Sequence, residues 1–246
     1  LTAALHETGH GLAAQALGFS PRIYPFFENN PSGTKLQTLI ITGAGPVASL
    51  VLGTLFLAIF LRQKPHYSFA RVLLLWLAWL GIMEFVNYLV VTPWLSAGDT
   101  ARIADTLGWS ALPRYVVAGV GIVITIALAR RAAITMCSTA PTDFALDSPG
   151  ARRRFIRSGF YLPLIAGTAL TAVAGIGTQP LAVGLGLLGT LGNSDIVGVA
   201  FRGANDEMAV RERAVDAEVR FEPNAVVSYV IVVGFYIAVL SHGLRV

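Results

Sequence analysis

The sequence predicts an all-α polytopic membrane protein, with about six or seven transmembrane helices and a small β-hairpin after the first. Three observations carry this. Of 246 residues, 54% are hydrophobic and 13% charged, against about 25% charged in an ordinary soluble domain. Mean hydropathy is +0.65. The charges are also segregated: residues 39–61 and 158–194 carry none. Each of these stretches exceeds the ~20 apolar residues that cross a bilayer as a helix. This composition excludes a soluble enzyme with a solvated surface, a disordered tail and a disulfide scaffold.

The elements follow in order. Residues 1–18 read as the C-terminal part of a helix rich in Ala and Leu, with Gly18 and Pro21 as its stop signal. Leu1 already lies in an apolar stretch, so this helix is expected to extend further at its N-terminus. Residues 22–27 and 34–41 are short and β-leaning, and the turn cluster ENNPSG between them predicts the hairpin. Spans are predicted at 39–61, opening with GAGP at 43–46, and at 72–92, where Glu84 is the single charge. A third is predicted at 114–136, interrupted late by Arg130 and Arg131. A polar loop, 137–157, contains Arg152, Arg153 and Arg154.

The uncharged stretch 158–194 is too long for one span. Its breaker at 175–180 allows a two-helix hairpin, or one span followed by a packed glycine-rich segment containing Gly184, Gly186, Gly189 and Gly192. Residues 203–223 are highly charged and suit a short surface helix, and 225–243 form the last predicted span. The chain thus divides into a core at 1–110 and additional transmembrane helices at 111–246, with the charged surface segment at 203–223.

Net charge is +4 and the isoelectric point about 9.5. In a membrane protein the excess arginines read as loops facing the cytoplasm. No basic stretch is interleaved with aromatics, so nucleic acid is not an expected partner. The lone Cys137 excludes an internal disulfide and a thiolate-rich metal site. A metal here therefore needs His and carboxylate ligands.

His6-Glu7-Thr8-Gly9-His10 matches H-E-x-x-H on a helix. Residues i and i+4 lie one turn apart on the same face, so two imidazoles can converge on one Zn²⁺. Glu7 is adjacent and can act as general base on an activated water. Two histidines and a carboxylate within one turn are costly in hydrocarbon unless paired or metal-bound. A catalytic zinc needs a third protein ligand. Asp99 is the best candidate, because it follows Gly98 at the mouth of an apolar span, where a chain break could point it inward. Glu84, inside that span and three residues before Asn87, reads as a ligand or as half of a buried polar pair. His66 and His242 read as interfacial residues.

The order of these motifs resembles the site-2 protease family of intramembrane zinc metalloproteases. The resemblance covers about residues 1–105 and rests on three segments. The first is HETGH in a membrane helix. The second is Ala44-Gly45-Pro46-Val47-Ala48-Ser49, similar to the family's A-G-P-x-x-N. The third is Asp99-Thr100-Ala101-Arg102-Ile103, similar to its D-G-G-R-I/L. Asn87 and Pro93 resemble the Asn and Pro that precede that Asp. The resemblance implies His6, His10 and Asp99 as zinc ligands, Glu7 as general base, and Asn87 as a residue that helps hold substrate or the developing oxyanion. It also implies a membrane protein substrate with a transmembrane segment, cut in or near the lipid bilayer. The chain departs from the pattern at Ser49, where Asn is usual, and at Thr100 and Ala101, which replace two glycines.

Two other classes stay open on the sequence. In a transporter or channel, Glu84 and Asn87 would line a polar path. A pseudoprotease would retain membrane segments without cutting them. The positive-inside rule adds a conflict: if each span crosses once, the Arg62–Arg71 and Arg130–Arg157 loops share a side and hold nine basic residues, against four on the opposite side through residue 114. That puts the HETGH loop and Asp99 nearer the outside, whereas bacterial members of the resembling family usually cut near the cytoplasmic face.

Overall fold

A computed structural model describes residues 2–24, 28–29, 33–63, 66–95, 98–140, 146 and 148–174, with short pieces at 218–219, 223–224, 227–228, 230–232, 234 and 243–245. The described elements are mainly helices. They run α1 (Thr2–Ala16), β1 (Arg22–Ile23), β2 (Glu28–Asn29), α2 (Lys35–Arg62), β3 (His66–Tyr67), α3 (Phe69–Val91), α4 (Asp99–Leu107) and α5 (Ala111–Cys137). Then come α6 (Pro149–Ile156), one π-helical stretch (Arg157–Tyr161), α7 (Leu162–Ala174), β4 (Glu218–Val219) and β5 (Leu244–Arg245).

Three of the described helices are long and apolar enough to cross a membrane: Lys35–Arg62, Phe69–Val91 and Ala111–Leu128. This is fewer than the six or seven expected. The breaker at 175–180, the four glycines at 184–192, most of the charged 203–223 segment and most of the last predicted span lie outside the described residues.

The hairpin expectation needs correction. Arg22 and Ile23 pair antiparallel with Asn29 and Glu28, so the second strand falls within the predicted turn cluster. A third strand, β5, pairs on the other edge of β1. Residues 35–41 are helix, not strand. Thr34 caps that helix: its hydroxyl accepts from the Gln37 N–H, and the Gln37 side chain accepts from the Thr34 N–H at 2.8 Å. This reciprocal Thr-x-x-Gln box satisfies two otherwise orphaned donors. It overrides the β-leaning of the residues that follow. A second two-stranded sheet pairs β3 with β4 in parallel.

The helix α2 lies at the centre of the site-bearing half, packed against α1, α3 and α4, while α5 packs on α3. Glycines set the α2–α3 spacing. A Cβ on Gly53 would meet the Ile82 nitrogen at 2.7 Å, and one on Gly81 would meet the Ser49 carbonyl at 2.9 Å. The backbones therefore touch, which brings short side chains of α2 within reach of α3. Arg71 closes the connection: its guanidinium lies 4.2 Å from the Phe60 ring and donates to the Gln63 carbonyl. The main apolar core, including Phe60, Leu75, Met83, Met136, Phe155 and Phe160, fills the space between these helices and α5 to α7.

The outward faces are apolar as well. Leu36, Ile40, Val47, Val51, Leu55 and Ile59 form an exposed stripe along α2, and α5 exposes Val116, Val120, Val123 and Ile126. In water such patches mark an unfinished surface. On helices of this length they are the faces a bilayer would cover.

Candidate metal centre

The helix α1 carries His6 and His10 one turn apart, and both imidazoles are buried, at 1% and 3% exposure. Each faces α2 through a sequence feature of that helix. Gly45 admits His10, since a Cβ there would collide with the imidazole ring. Gly9 does the same for the backbones: a Cβ on it would meet the Ala48 Cβ at 2.7 Å and the Ala44 carbonyl at 2.8 Å. Pro46 lies inside α2 and removes one N–H from the helix ladder. One turn earlier, the Ile41 carbonyl accepts from His10 Nδ1 at 2.7 Å. The GAGP segment is thus the socket for the second histidine.

Asp99 arrives from the other direction. After α3 ends, the chain breaks and restarts as α4 with Asp99 as its first residue. Gly98 precedes it with φ +110°, a left-handed conformation that a side chain would strain, and packs against the Tyr88 ring. Thr100 Oγ1 donates to the Tyr88 carbonyl at 2.5 Å, and Thr92 Oγ1 donates to Thr100 Oγ1 at 2.7 Å. Ala101 is buried. Thr100, one of the two positions that depart from the glycine pair of the resembling motif, therefore ties α4 to the end of α3.

The three side chains meet. His6 Nε2 lies 2.8 Å from Asp99 Oδ2, His10 Nε2 lies 3.2 Å from the same oxygen, and the two Nε2 atoms are 3.1 Å apart. Outer contacts assign the tautomers. A bare His10 Nδ1 at 2.7 Å from the Ile41 carbonyl would set lone pair against lone pair, so Nδ1 carries the proton. The Gly45 N–H also approaches Nδ1, but at 3.3 Å, and the shorter contact decides. On His6, Nδ1 lies 3.1 Å from Ser49 Oγ, and that hydroxyl donates to Glu84 Oε2 at 3.1 Å. The serine oxygen therefore accepts, and His6 Nδ1 carries the proton too. Both Nε2 atoms then direct lone pairs at a carboxylate oxygen, and this triangle calls for positive charge at its centre.

Zinc fits that demand chemically. Two imidazoles and one carboxylate are an ordinary donor set for a catalytic ion with one open position. A tetrahedral ion with bonds of about 2.0–2.1 Å holds its ligand atoms about 3.3 Å apart. The observed separations of 2.8–3.2 Å need only a small expansion.

The remaining predicted residues fall as follows. Glu7 is buried at 9% exposure on the same turn, within electrostatic reach of Tyr88. Glu84 Oε1 lies 3.8 Å from His6 Nδ1, behind the ring rather than at the triangle. Asn87 is half-buried on α3. His66 lies in β3, past the end of α2. His242 lies outside the described residues. Two contributors went unrecognised in the sequence. Tyr88 stacks on His6 with ring centroids 5.2 Å apart and planes inclined by 16°. Ser49 bridges His6 and Glu84. The i, i+4 spacing of Glu84 and Tyr88, and of Gly45 and Ser49, is the signal that places each pair on one face. No known protein family, characterised protein or solved structure matches this chain.

Proposed function

We propose that this chain is a multi-pass, membrane-embedded zinc metalloprotease that hydrolyses peptide bonds in or near transmembrane segments of other membrane proteins. The observation that carries the proposal is the triangle of buried His6 and His10 with half-buried Asp99, whose ligand atoms lie within 4.8 Å of one another. Support also comes from Glu7 on the same helical turn and from the similarity of motif order to the site-2 protease family. A pump or channel would leave the H-E-x-x-H turn unexplained.

The roles follow from the chemistry of each group. His6, His10 and Asp99 would hold the ion. When bound, zinc polarises a carbonyl and lowers the pKa of water towards ~7. Glu7 takes the proton of the attacking water and delivers it to the leaving amide nitrogen. Asn87, on α3 with Glu84 and Tyr88, is assigned to steady the substrate carbonyl as charge develops on it. The surrounding apolar helices limit water, which strengthens each of these interactions. A helical substrate must unwind locally before its amides are open to attack.

The decisive test compares native protein with Glu7→Gln on a model membrane substrate in proteoliposomes, with zinc content measured in both. Cleavage by the native protein and none by the variant, at equal zinc, is expected. Equal cleavage would sink the proposal. Zinc without cleavage in either would point to a pseudoprotease instead.

A further inference from the structure

Glu84 is the one acidic side chain on α3, a helix long and apolar enough to span a membrane. An ionisable group there is costly and usually serves a function. It is not positioned as a ligand, because it approaches His6 at Nδ1, while Asp99 and His10 meet the opposite nitrogen. What it does contact is Ser49, whose hydroxyl donates to Glu84 Oε2.

We infer that Glu84 and Ser49 are positioning residues that hold His6 in the tautomer able to bind metal. The inference rests on the zinc site proposed above. A serine hydroxyl alone cannot do this, because it rotates and either donates or accepts. If it donated to Nδ1, the histidine proton would move to Nε2 and occupy the lone pair that a metal needs. Glu84 removes that choice. By accepting the serine proton, it leaves Ser49 Oγ only able to accept, and His6 keeps its proton on Nδ1. Metal-binding histidines commonly depend on such an outer partner for orientation and basicity. The close α2–α3 contact at Gly53 and Gly81 is what lets a side chain as short as serine reach across. Where the resembling motif has Asn, an amide oxygen could accept from a histidine directly. Here two residues on two helices share that task.

The test uses the full chain in detergent, with zinc affinity read by chelator competition and the site geometry read from the visible spectrum of bound Co²⁺. Glu84→Leu and Ser49→Ala are each expected to weaken zinc binding by about 10–100-fold. The double variant should be no weaker than the worse single one, because both break one chain of contacts. Glu84→Gln keeps an oxygen that can accept from Ser49 and should stay within about threefold of native with an unchanged Co²⁺ spectrum. Where Glu84→Leu fails to fold, Ser49→Ala and Glu84→Gln carry the comparison. Native-like affinity in both Glu84→Leu and Ser49→Ala, or fully additive losses in the double variant, would overturn this inference alone. A native protein that binds no zinc would overturn it together with the proposed function.

Discussion

Asp99 Oδ2 lies 2.8 Å from His6 Nε2, although 93 positions separate the two residues in the chain. That contact requires α4 to restart at Gly98 and fold back onto α1 and α2. It makes Asp99 the residue whose loss should matter most to metal binding. Asp99→Ala is expected to reduce zinc affinity by more than the ~10–100-fold typical of losing an outer partner. Equilibrium dialysis would show less than one zinc per chain at concentrations that saturate the native protein. Full occupancy at the native affinity would remove Asp99 from the site.

Gly45 offers a test of the socket on α2. A methyl group there collides with the His10 ring, which is held at its other end by the Ile41 carbonyl. Overpacking of this kind costs about 1–3 kcal/mol. Gly45→Ala should therefore lower the thermal unfolding midpoint and weaken zinc binding together. The same substitution at Gly119, where a Cβ meets nothing within 4 Å, should leave zinc binding unchanged and serves as the control.

Asn87 separates substrate handling from metal binding. Asn87→Ala should retain zinc, and its kcat on a membrane substrate should fall by about 10²–10³ if the side chain stabilises developing charge. A change in KM alone would reassign it to ground-state substrate binding.

Zinc affinity should depend on pH in a defined direction. Protons compete with zinc for the Nε2 lone pairs of His6 and His10, so affinity should fall as pH drops and the imidazoles protonate, by up to about tenfold per unit for each imidazole. Chelator competition between pH 5 and 8 measures this, and a flat profile would speak against histidine ligation.

The membrane character and the first half of the site were legible in the sequence. Low charge and long apolar runs are local, additive properties, and they marked α2, α3 and α5 as spans because hydrocarbon admits little else. His6 and His10 were legible because helical periodicity alone brings residues four apart onto one face. Residues 35–41 were misread because a single capping box outweighs weak strand propensity. The rest depended on contacts between helices. Nothing local to Ser49 indicates that it accepts from His6, and nothing local to Glu84 indicates that it fixes the Ser49 proton. Both follow from the approach of two backbones at Gly53 and Gly81. Asp99 could be nominated from its place after Gly98, but only the folding of α4 against α2 and α3 brings its oxygen to both histidines. Short-range periodicity is written in the chain, whereas the meeting of donor atoms from α1, α2, α3 and α4 is decided by how closely those helices pack.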